Sequence, residues 1–241
     1  MESIVKYLEY INEQLAALAL TQAEPLQQAA QLVAQSYCDG KHFFTFGTGH
    51  SHMIAEEIYV RAGGLAFVKG ILPGELMLHE KLNKSTYLER LEGYADILLT
   101  LYDVGKGDTL LIISNSGRNS VPVEMALGAK ARGANVIAIT SLRHSKKVSS
   151  RNKSGKRLFE AADIVLDNQA AYGDAAFTVP GCSAPTGPIS DIMGTALAQA
   201  LVVGIAEELA KRGIDAPIFY SSNADNCDEH NEKLFRMYCR D

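Results

Sequence analysis

Residues 109–123 read TLLIISNSGRNSVPV. The run Thr109–Ile113 is largely apolar and branched, which is typical of a strand buried on both faces of a parallel sheet. Pro122 has no amide hydrogen to donate and fits only in the first turn of a helix, so a helix is expected to begin just before it. Between them lies a turn of small hydroxyl and amide residues around Gly117. The stretch therefore predicts a strand–loop–helix unit.

A loop of this kind is expected to bind a compact anion, most plausibly a phosphate. The start of a helix presents unpaired backbone N–H groups and the positive end of the helix dipole. Serine hydroxyls add donors without crowding. Arg118 can pair with a phosphate or carboxylate through its planar fork, although an exposed loop arginine is the alternative. The predicted binding residues here are Ser114, Asn115, Ser116, Gly117, Arg118, Asn119 and Ser120.

A second small-residue loop follows the apolar run at residues 43–46. It consists of Gly47, Thr48, Gly49, His50 and Ser51, and His52 comes next. A dinucleotide-binding fingerprint would need a third glycine at His52 and an acidic residue near Lys69, so a nucleotide cofactor is not expected. A tight strand–helix turn without a ligand is the alternative interpretation.

Strands and helices alternate along most of the chain, which predicts a parallel sheet covered by helices on both faces. Predicted strands lie at residues 43–46, 65–68, 109–113, 136–140 and 163–167, with a candidate sixth, edge strand at 175–179. The fold class is α/β, a three-layer α/β/α sandwich with a five-stranded or six-stranded parallel sheet. Two helices, at about residues 4–18 and 25–39, are expected before the first strand. One domain spans residues 1–241, divided into N-terminal helices (1–40), core (41–212) and C-terminal tail (213–241).

Such sheets bind ligands beyond the carboxyl ends of their strands, near the point where the strand order reverses. Both small-residue loops are predicted to lie at that edge. Two loops meeting there is stronger evidence for a site than either loop alone.

Composition limits the partners. The formal net charge is −5, so nucleic acid is not an expected partner. No apolar run approaches the ~20 residues of a membrane span and no leader is apparent, so we expect no membrane association. The four cysteines form no C-x-x-C pair, which favours reduced thiols and a cytoplasmic location. No metal site is expected either, because H-x-H at His50 and His52 has no further ligand at a fitting spacing.

Taken together, the loops GTGHS (47–51) and SNSG (114–117) resemble those of the sugar isomerase (SIS) domain family, over roughly residues 35–212. The resemblance is closest to SIS-domain proteins described as phosphosugar isomerases of the phosphoheptose type. It implies a phosphorylated sugar as ligand, held by Ser51, Ser114, Ser116 and Ser120. It also implies a homodimer or homotetramer with the site near a subunit interface, and no cofactor.

Two departures concern the reaction. Phosphoheptose isomerases carry a glutamate ten positions beyond the loop serine, where this chain has Arg61, and a late catalytic histidine that the helix after Ser190 lacks. The ligand class is thus expected to carry over more fully than the reaction.

Interconverting an aldose and a ketose through an enediol needs a base and an acid, and elimination from a sugar needs nearly the same pair. Glu92 is favoured slightly, because Glu92-Gly93 is similar to a step in the N-acetylmuramic acid 6-phosphate etherase. For each glutamate, an exposed surface position is the alternative. The candidate catalytic residues are Glu92, Glu57, Glu75, Glu80, His50 and His79.

Two further segments, residues 183–186 and 143–157, have expected roles outside the two loops. Ser183 and Thr186 are expected to form the far wall of the pocket, or else an ordinary loop with a helix cap at Ser190 or Asp191. The basic stretch at residues 143–157 is interpreted as an exposed, mobile linker with some helix.

The sequence thus predicts a protein that binds a phosphorylated sugar and isomerises it by proton transfer through an enediol. The alternatives are a phosphosugar lyase or dehydratase of the etherase type, and a non-catalytic phosphosugar-sensing module.

Overall fold

The computed structural model describes residues 2–225 and 227–239, and its centre is a sheet of five parallel strands. The strands are β1 (Phe43–Gly47), β2 (Val68–Ile71), β3 (Thr109–Ile113), β4 (Asn135–Thr140) and β5 (Ile164–Asp167), in the order β2-β1-β3-β4-β5. Phe43 lies opposite Val68 on one side and opposite Thr109 on the other. The predicted domain of residues 1–241 also includes Met1, Asn226, Arg240 and Asp241, which lie outside the described residues.

Helices cover both faces of this sheet, which confirms the predicted α/β sandwich. They are α1 (Glu2–Cys38), α2 (His50–Glu57), α3 (Lys84–Leu88), α4 (Tyr94–Leu101), α5 (Ser120–Ala131), α6 (Leu142–Ser145), α7 (Leu158–Ala161), α8 (Ser190–Lys211) and α9 (Asp228–Tyr238). A short 3-10 helix occupies Gly74–Leu76.

The strands send alternate side chains into two apolar cores, because successive residues of a strand point to opposite faces. Leu111 and Ile113 of β3 pack with α1, α2 and α8 on one face. Leu110 and Ile112 pack with α4 and α5 on the other. Every residue of β3 is buried, as a strand covered on both faces requires.

The strand order reverses between β1 and β3. From β1 the chain moves outward to β2, and from β3 it moves the other way through β4 to β5. The loops that leave β1 and β3 are therefore neighbours at the carboxyl edge of the sheet, where open parallel sheets bind ligands.

The prediction of two N-terminal helices is wrong. Residues 2–38 form one helix that continues through Pro25. An interior proline removes one helix hydrogen bond, but here tertiary packing outweighs that loss. Leu18, Ala30 and Val33 are buried in the core shared with α8, and the Gln22 side chain accepts a hydrogen bond from the Asp167 amide at 2.9 Å.

The prediction that residues 175–179 form a sixth, edge strand of the main sheet is also wrong. Residues Ala175–Phe177 form a strand, β6, but it pairs antiparallel with β7 (Thr186–Pro188) in a separate two-stranded hairpin. The second strand begins at Val68 and not at Leu65, since Leu65 instead makes an isolated antiparallel bridge with Ile218.

Within the described residues, one helix, α8, is long and apolar enough to cross a membrane by length and composition. Half of its apolar window is buried, and it packs against α1 and α2. Its apolar character therefore has a sufficient explanation in the core, although the sequence-based prediction did not single it out.

Candidate functional site

The turn that leaves β1 is possible only because Gly47 has no side chain. A Cβ atom at Gly47 would lie 2.3 Å from the backbone oxygen of Ser51. Gly49 follows at a positive φ of 59° and donates its amide hydrogen to the Leu76 carbonyl at 2.9 Å. Helix α2 then begins at His50, so its first amide groups lie directly at the loop.

The turn that leaves β3 is fixed from the neighbouring strand. The carbonyl oxygen of Asn115 accepts hydrogen bonds from the Ser141 amide at 3.1 Å and from the Thr140 hydroxyl at 3.2 Å. Gly117 has a φ of 57° and donates its amide hydrogen to the Ser114 hydroxyl oxygen at 3.2 Å. Helix α5 begins at Ser120, and the predicted strand–loop–helix unit is therefore present.

Glu89, directly after α3, joins the two loops. Its Oε2 accepts a hydrogen bond from the Thr48 hydroxyl at 2.8 Å, and its Oε1 accepts one from Asn119 Nδ2 at 2.8 Å. Its backbone carbonyl accepts the Val121 amide hydrogen of α5 at 2.9 Å. One residue thus contacts the loop after β1, the loop after β3 and the first turn of α5.

The carboxyl of Glu89 is half-buried, and its pKa is raised because burial penalises the charged form. The Thr48 hydrogen bond and the positive charges of Arg90 and Arg151 oppose that rise. A carboxyl with a raised pKa beside a ligand-binding edge is a candidate for proton transfer. The sequence-based prediction did not include it.

Two serines of these loops keep hydroxyls available. Ser51 and Ser116 are half-buried, and in the described part of the chain neither hydroxyl has a hydrogen-bond partner. Ser114 and Ser120, by contrast, are buried; Ser114 bonds to Gly117, and Ser120 donates to the Arg151 carbonyl at 3.4 Å. Ser51 and Ser116 are therefore the hydroxyls open to a ligand.

Residues 149–158, here called the strap, lie across the loop after β3. The strap contributes the Ser149 carbonyl, which accepts from Arg118 Nε at 2.9 Å, and the Arg151 amide, which donates to the Arg118 carbonyl at 2.7 Å. Arg151 Nη1 donates to Asn119 Oδ1 at 3.0 Å. The expected exposure and helix are present in this region, at residues 153–156 and in α6, and its mobility stays a prediction. These hydrogen bonds connect it to the binding loop.

Burial and the charges of Arg118 and Arg90 lower the pKa of Arg151. Three guanidinium groups therefore act on one another close to the loops, together with the single carboxyl of Glu89. An arrangement of this kind favours an anionic ligand, since like charges repel unless an opposite charge is near.

The predicted catalytic glutamates are engaged with other partners. Glu57 pairs with Arg61 and accepts from Gln199 Nε2 at 3.3 Å, at the end of α2 away from the loop. Glu80 pairs with Lys84. Glu92 is exposed and accepts the Lys153 amide hydrogen at 3.1 Å. Contacts within the described residues link none of these carboxylates to either loop.

Glu75 lies at the 3-10 helix that supports the loop after β1. Its carboxylate accepts a hydrogen bond from the Tyr94 hydroxyl, which lowers the pKa of Glu75. That bond favours a permanently ionised carboxylate and not a group that exchanges protons near neutral pH.

The histidines occupy different environments. His50 is exposed at the first position of α2, and its charge acts on the half-buried Asp191 of α8, whose pKa burial raises. His79 is exposed beyond the 3-10 helix. His52 is 1% exposed, and burial lowers its pKa; its two ring nitrogens have no hydrogen-bond partner in the described residues. His50 is the predicted histidine that the structure places at a loop.

Ser183 and Thr186 lie on the β6–β7 hairpin and are exposed. The hairpin packs on the first turns of α1, where Phe177 meets the ring of Tyr7 edge to face. No contact among the described residues connects Ser183 or Thr186 to the two loops.

Asp174, which directly precedes β6, forms hydrogen bonds with the start of α8. Asp174 accepts hydrogen bonds from the Ser190 amide at 2.8 Å, the Ser190 hydroxyl at 2.7 Å and the Ile189 amide at 3.1 Å. The alternative interpretation of this segment placed the helix cap at Ser190 or Asp191. That placement is wrong, because Ile189 is the N-cap residue and has no side-chain cap.

No group of three or more His, Cys, Asp or Glu residues in the described ranges is placed to hold a metal ion. Five surface cavities of about 240–430 Å³ lie elsewhere on the molecule. None of these five cavities is lined by residues of the two loops.

A model of the SIS domain matches residues 6–141, which include both loops. The chain belongs to the SIS-domain family. The match confirms the resemblance drawn from the loop residues, and the five-stranded parallel sheet agrees with it.

Among relatives of this SIS-domain protein, a UPF0309 protein of Halalkalibacterium halodurans is 51% identical over 238 residues, covering 99% of this chain and 98% of that protein. A UPF0309 protein of Caldanaerobacter subterraneus is 42% identical over 235 residues, covering 96% of each chain.

Two solved structures share the fold at low sequence identity. The phosphoheptose isomerase from Neisseria gonorrhoeae matches with a TM-score of 0.59 and 18% identity, covering 86% of this chain and 98% of that one. The Vibrio vulnificus NanR protein complexed with ManNAc-6P matches with a TM-score of 0.54 and 16% identity, covering 98% of this chain and 70% of that one. At these identities the likeness establishes the fold alone.

Proposed function

We propose that this SIS-domain protein binds a phosphorylated sugar at the edge between β1 and β3 and interconverts its aldose and ketose forms. The whole chain acts as one domain in this proposal. The observation that carries it is the connection of two distant loops by Glu89, which accepts hydrogen bonds from Thr48 and Asn119.

Phosphate binding follows from the donors at this edge. The N-terminal ends of α2 and α5 adjoin the two loops, and each presents backbone N–H groups with a partial positive charge. The free hydroxyls of Ser51 and Ser116 supply further donors. Gly47, Thr48, Gly49, Ser114, Asn115, Gly117, Arg118, Asn119 and Ser120 complete the proposed binding set.

The reaction needs a base that removes a proton from the carbon next to the carbonyl, and an acid that protonates the carbonyl oxygen. Delivering the first proton to the former carbonyl carbon, while the hydroxyl on the next carbon loses its proton, completes the isomerisation without a net change in oxidation state. His50 is the predicted histidine that lies at a loop, and an imidazole can both donate and accept a proton, so we assign it to proton transfer between the sugar oxygens. This chemistry needs no metal or nucleotide.

The fold of the Neisseria protein, a phosphoheptose isomerase, supports the same ligand class. A sensing role is the second candidate. It is favoured by the pairing of Glu57, Glu80 and Glu92 with other residues. NanR, whose structure is described with ManNAc-6P, shares the fold.

A single experiment separates these functions. The protein is incubated in deuterated water with a panel of pentose, hexose, heptose and amino-sugar phosphates, and products are followed by nuclear magnetic resonance. An isomerase incorporates deuterium next to the carbonyl and forms the partner sugar. A lyase releases an unsaturated or dehydrated product, and a sensor binds without turnover. If calorimetry detects no binding to any sugar phosphate, the proposal fails.

Ser116→Ala tests the binding loop. Losing one hydrogen bond to a charged phosphate costs about 1.5–3 kcal/mol, so we expect the Kd to rise at least about tenfold. Ser221→Ala changes an exposed serine far from the loops in sequence and serves as the control. Equal affinities of the two variants, measured by calorimetry, would remove Ser116 from the site.

The proposal includes a cytoplasmic location and a homodimer or homotetramer. The four cysteines are all free, as a reducing compartment would allow. The exposed apolar side chains Ile4, Leu8 and Leu20 of α1 support a neighbouring subunit packed against them.

A further inference from the structure

We infer that Glu89 is the general base of the proposed isomerisation, taking the proton from the carbon next to the sugar carbonyl. The inference rests on the proposed function and assigns a residue to its central step. It comes from the placement of Glu89 and not from any sequence motif.

The position of Glu89 supports its role as the base. Glu89 lies where the two proposed phosphate-binding loops meet, bonded to Thr48 of one and Asn119 of the other. The carbonyl carbon lies at the opposite end of such a sugar from its phosphate, so the proposal has the sugar extend from one of these loops past the Glu89 carboxyl. The Val121 amide also bonds to the Glu89 carbonyl, which fixes the backbone of this residue to α5.

The hydrogen-bond partners of the Glu89 carboxylate also suit a base. Both donors to the Glu89 carboxylate are neutral, a hydroxyl and an amide, and no ion pair forms between Glu89 and another described residue. Glu57, Glu80 and Glu92 instead pair with Arg61, Lys84 and Lys153. A carboxylate in an ion pair is stabilised in its charged form and is a weaker base than one without a cation partner.

The surroundings of Glu89 can also accommodate the proton that a base takes up. A hydroxyl can donate or accept a hydrogen bond, so Thr48 can keep its bond to Glu89 when the carboxyl gains a proton. Two hydrogen bonds also leave lone pairs on the carboxylate for the incoming proton. Burial raises the pKa of this carboxyl, which brings it closer to neutral pH and makes it a better base.

The proposed step is balanced within the protein. The bond between carbon and hydrogen breaks, its proton forms an O–H bond on Glu89, and its electron pair moves into the carbon–carbon double bond of the enediol. His50 supplies the proton to the carbonyl oxygen. Glu89 then delivers its proton to the former carbonyl carbon while His50 takes the proton from the hydroxyl on the other enediol carbon. A new carbonyl forms there, and both side chains regain their original states.

Glu89→Gln tests this assignment in the full-length protein, with deuterium incorporation from solvent as the readout. The amide has nearly the shape of the carboxyl but cannot take the proton, so we expect exchange to fall by about 10²–10⁴-fold while binding of the same sugar phosphate persists. Loss of exchange with intact binding is a result that a purely structural role would not give.

Glu124→Gln is the matched control. Glu124 is also half-buried and also accepts from neutral donors, the Gly93 amide at 2.7 Å and Asn152 Nδ2 at 2.9 Å, but both partners lie outside the two loops. We expect wild-type exchange from this variant.

A pH profile gives a second readout that does not depend on the variant folding. Since the base must be ionised, kcat/KM of the wild-type protein should rise with pH through a midpoint above the ordinary glutamate value of 4.5. We expect the Glu89→Asp variant to show the same rise of kcat/KM with pH, but with a lower maximum value.

The outcomes separate the two proposals. If no sugar phosphate binds, the proposed function fails. If the wild-type protein exchanges and Glu89→Gln exchanges equally well, only the assignment of Glu89 is overturned. Binding without any exchange by the wild-type protein likewise overturns the role of Glu89 and leaves a sensor.

Discussion

In the turn after β1, Gly47 is the position at which an added side chain is tolerated least. A methyl group there would meet the Ser51 backbone oxygen at 2.3 Å, and backbone cannot move aside as a flexible side chain can. We expect Gly47→Ala to lower the free energy of unfolding by roughly 1–3 kcal/mol and to abolish sugar phosphate binding. Urea denaturation and calorimetry measure the two effects.

Gly105→Ala is the appropriate control for that substitution. Its nearest neighbour would lie 3.9 Å from the new methyl group, and its φ is not positive. A Gly47→Ala variant as stable and as active as Gly105→Ala would contradict the geometry described for the turn.

Glu89 makes stability depend on pH in a direction opposite to that of most carboxylates. Its pKa is raised in the folded state, so the folded protein holds this proton at a higher pH than the unfolded chain. The contribution of Glu89 to stability is therefore lost as pH rises from about 4.5 through the folded-state pKa. Glu89→Gln cannot ionise and should be the more stable protein above that window, with the difference vanishing below it.

Thermal unfolding of both proteins from pH 4 to pH 8 measures this difference, and groups common to both cancel. A variant that is less stable than the wild-type protein by the same amount at every pH would contradict the raised pKa.

Individual residues also mark the limit of what the sequence could predict about the site. The two loops follow from local patterns, small residues after an apolar run, because such patterns act over a few positions. Glu89 bonds to residues 41 and 30 positions away, and no spacing in the sequence encodes those distances. The similarity of Glu92-Gly93 to a step in the etherase favours Glu92 as the catalytic residue, three positions further along the chain.

Among the helices and strands, too, local patterns predicted some elements correctly and tertiary packing overturned others. The strand at residues 109–113 was predicted with its observed bounds, because a buried strand needs an unbroken apolar run. Pro25 suggested a helix start and two helices, yet packing of α1 against α8 keeps one helix continuous. Tertiary contacts decided the outcome there, and local propensity did not.

The start of α8 depends on a residue that precedes it by a whole hairpin. Asp174 accepts three hydrogen bonds from Ile189 and Ser190, so it satisfies amide groups that a local cap would serve. We expect Asp174→Ala to lower the free energy of unfolding by about 0.5–2 kcal/mol in chemical denaturation. The exposed Asp215 provides the comparison, and an Asp215→Ala loss of equal size would argue against the cap.

On the scale of the whole molecule, the predicted assembly is open to direct measurement. The first half of α1 exposes Ile4, Leu8 and Leu20, at 65%, 56% and 86%, and a single chain leaves these apolar side chains in water. Light scattering after size-exclusion chromatography should give two or four times the chain mass of 26.1 kDa. A mass of one chain at micromolar concentration would contradict the homodimer or homotetramer.

The pairing of α1 with α8 has a consequence for synthesis. The ribosome makes α1 first, but the helix that covers its apolar face lies in the last quarter of the chain. The nascent polypeptide must therefore carry an uncovered amphipathic helix through most of translation, and the sheet can close on that side only after residue 211 has left the exit tunnel.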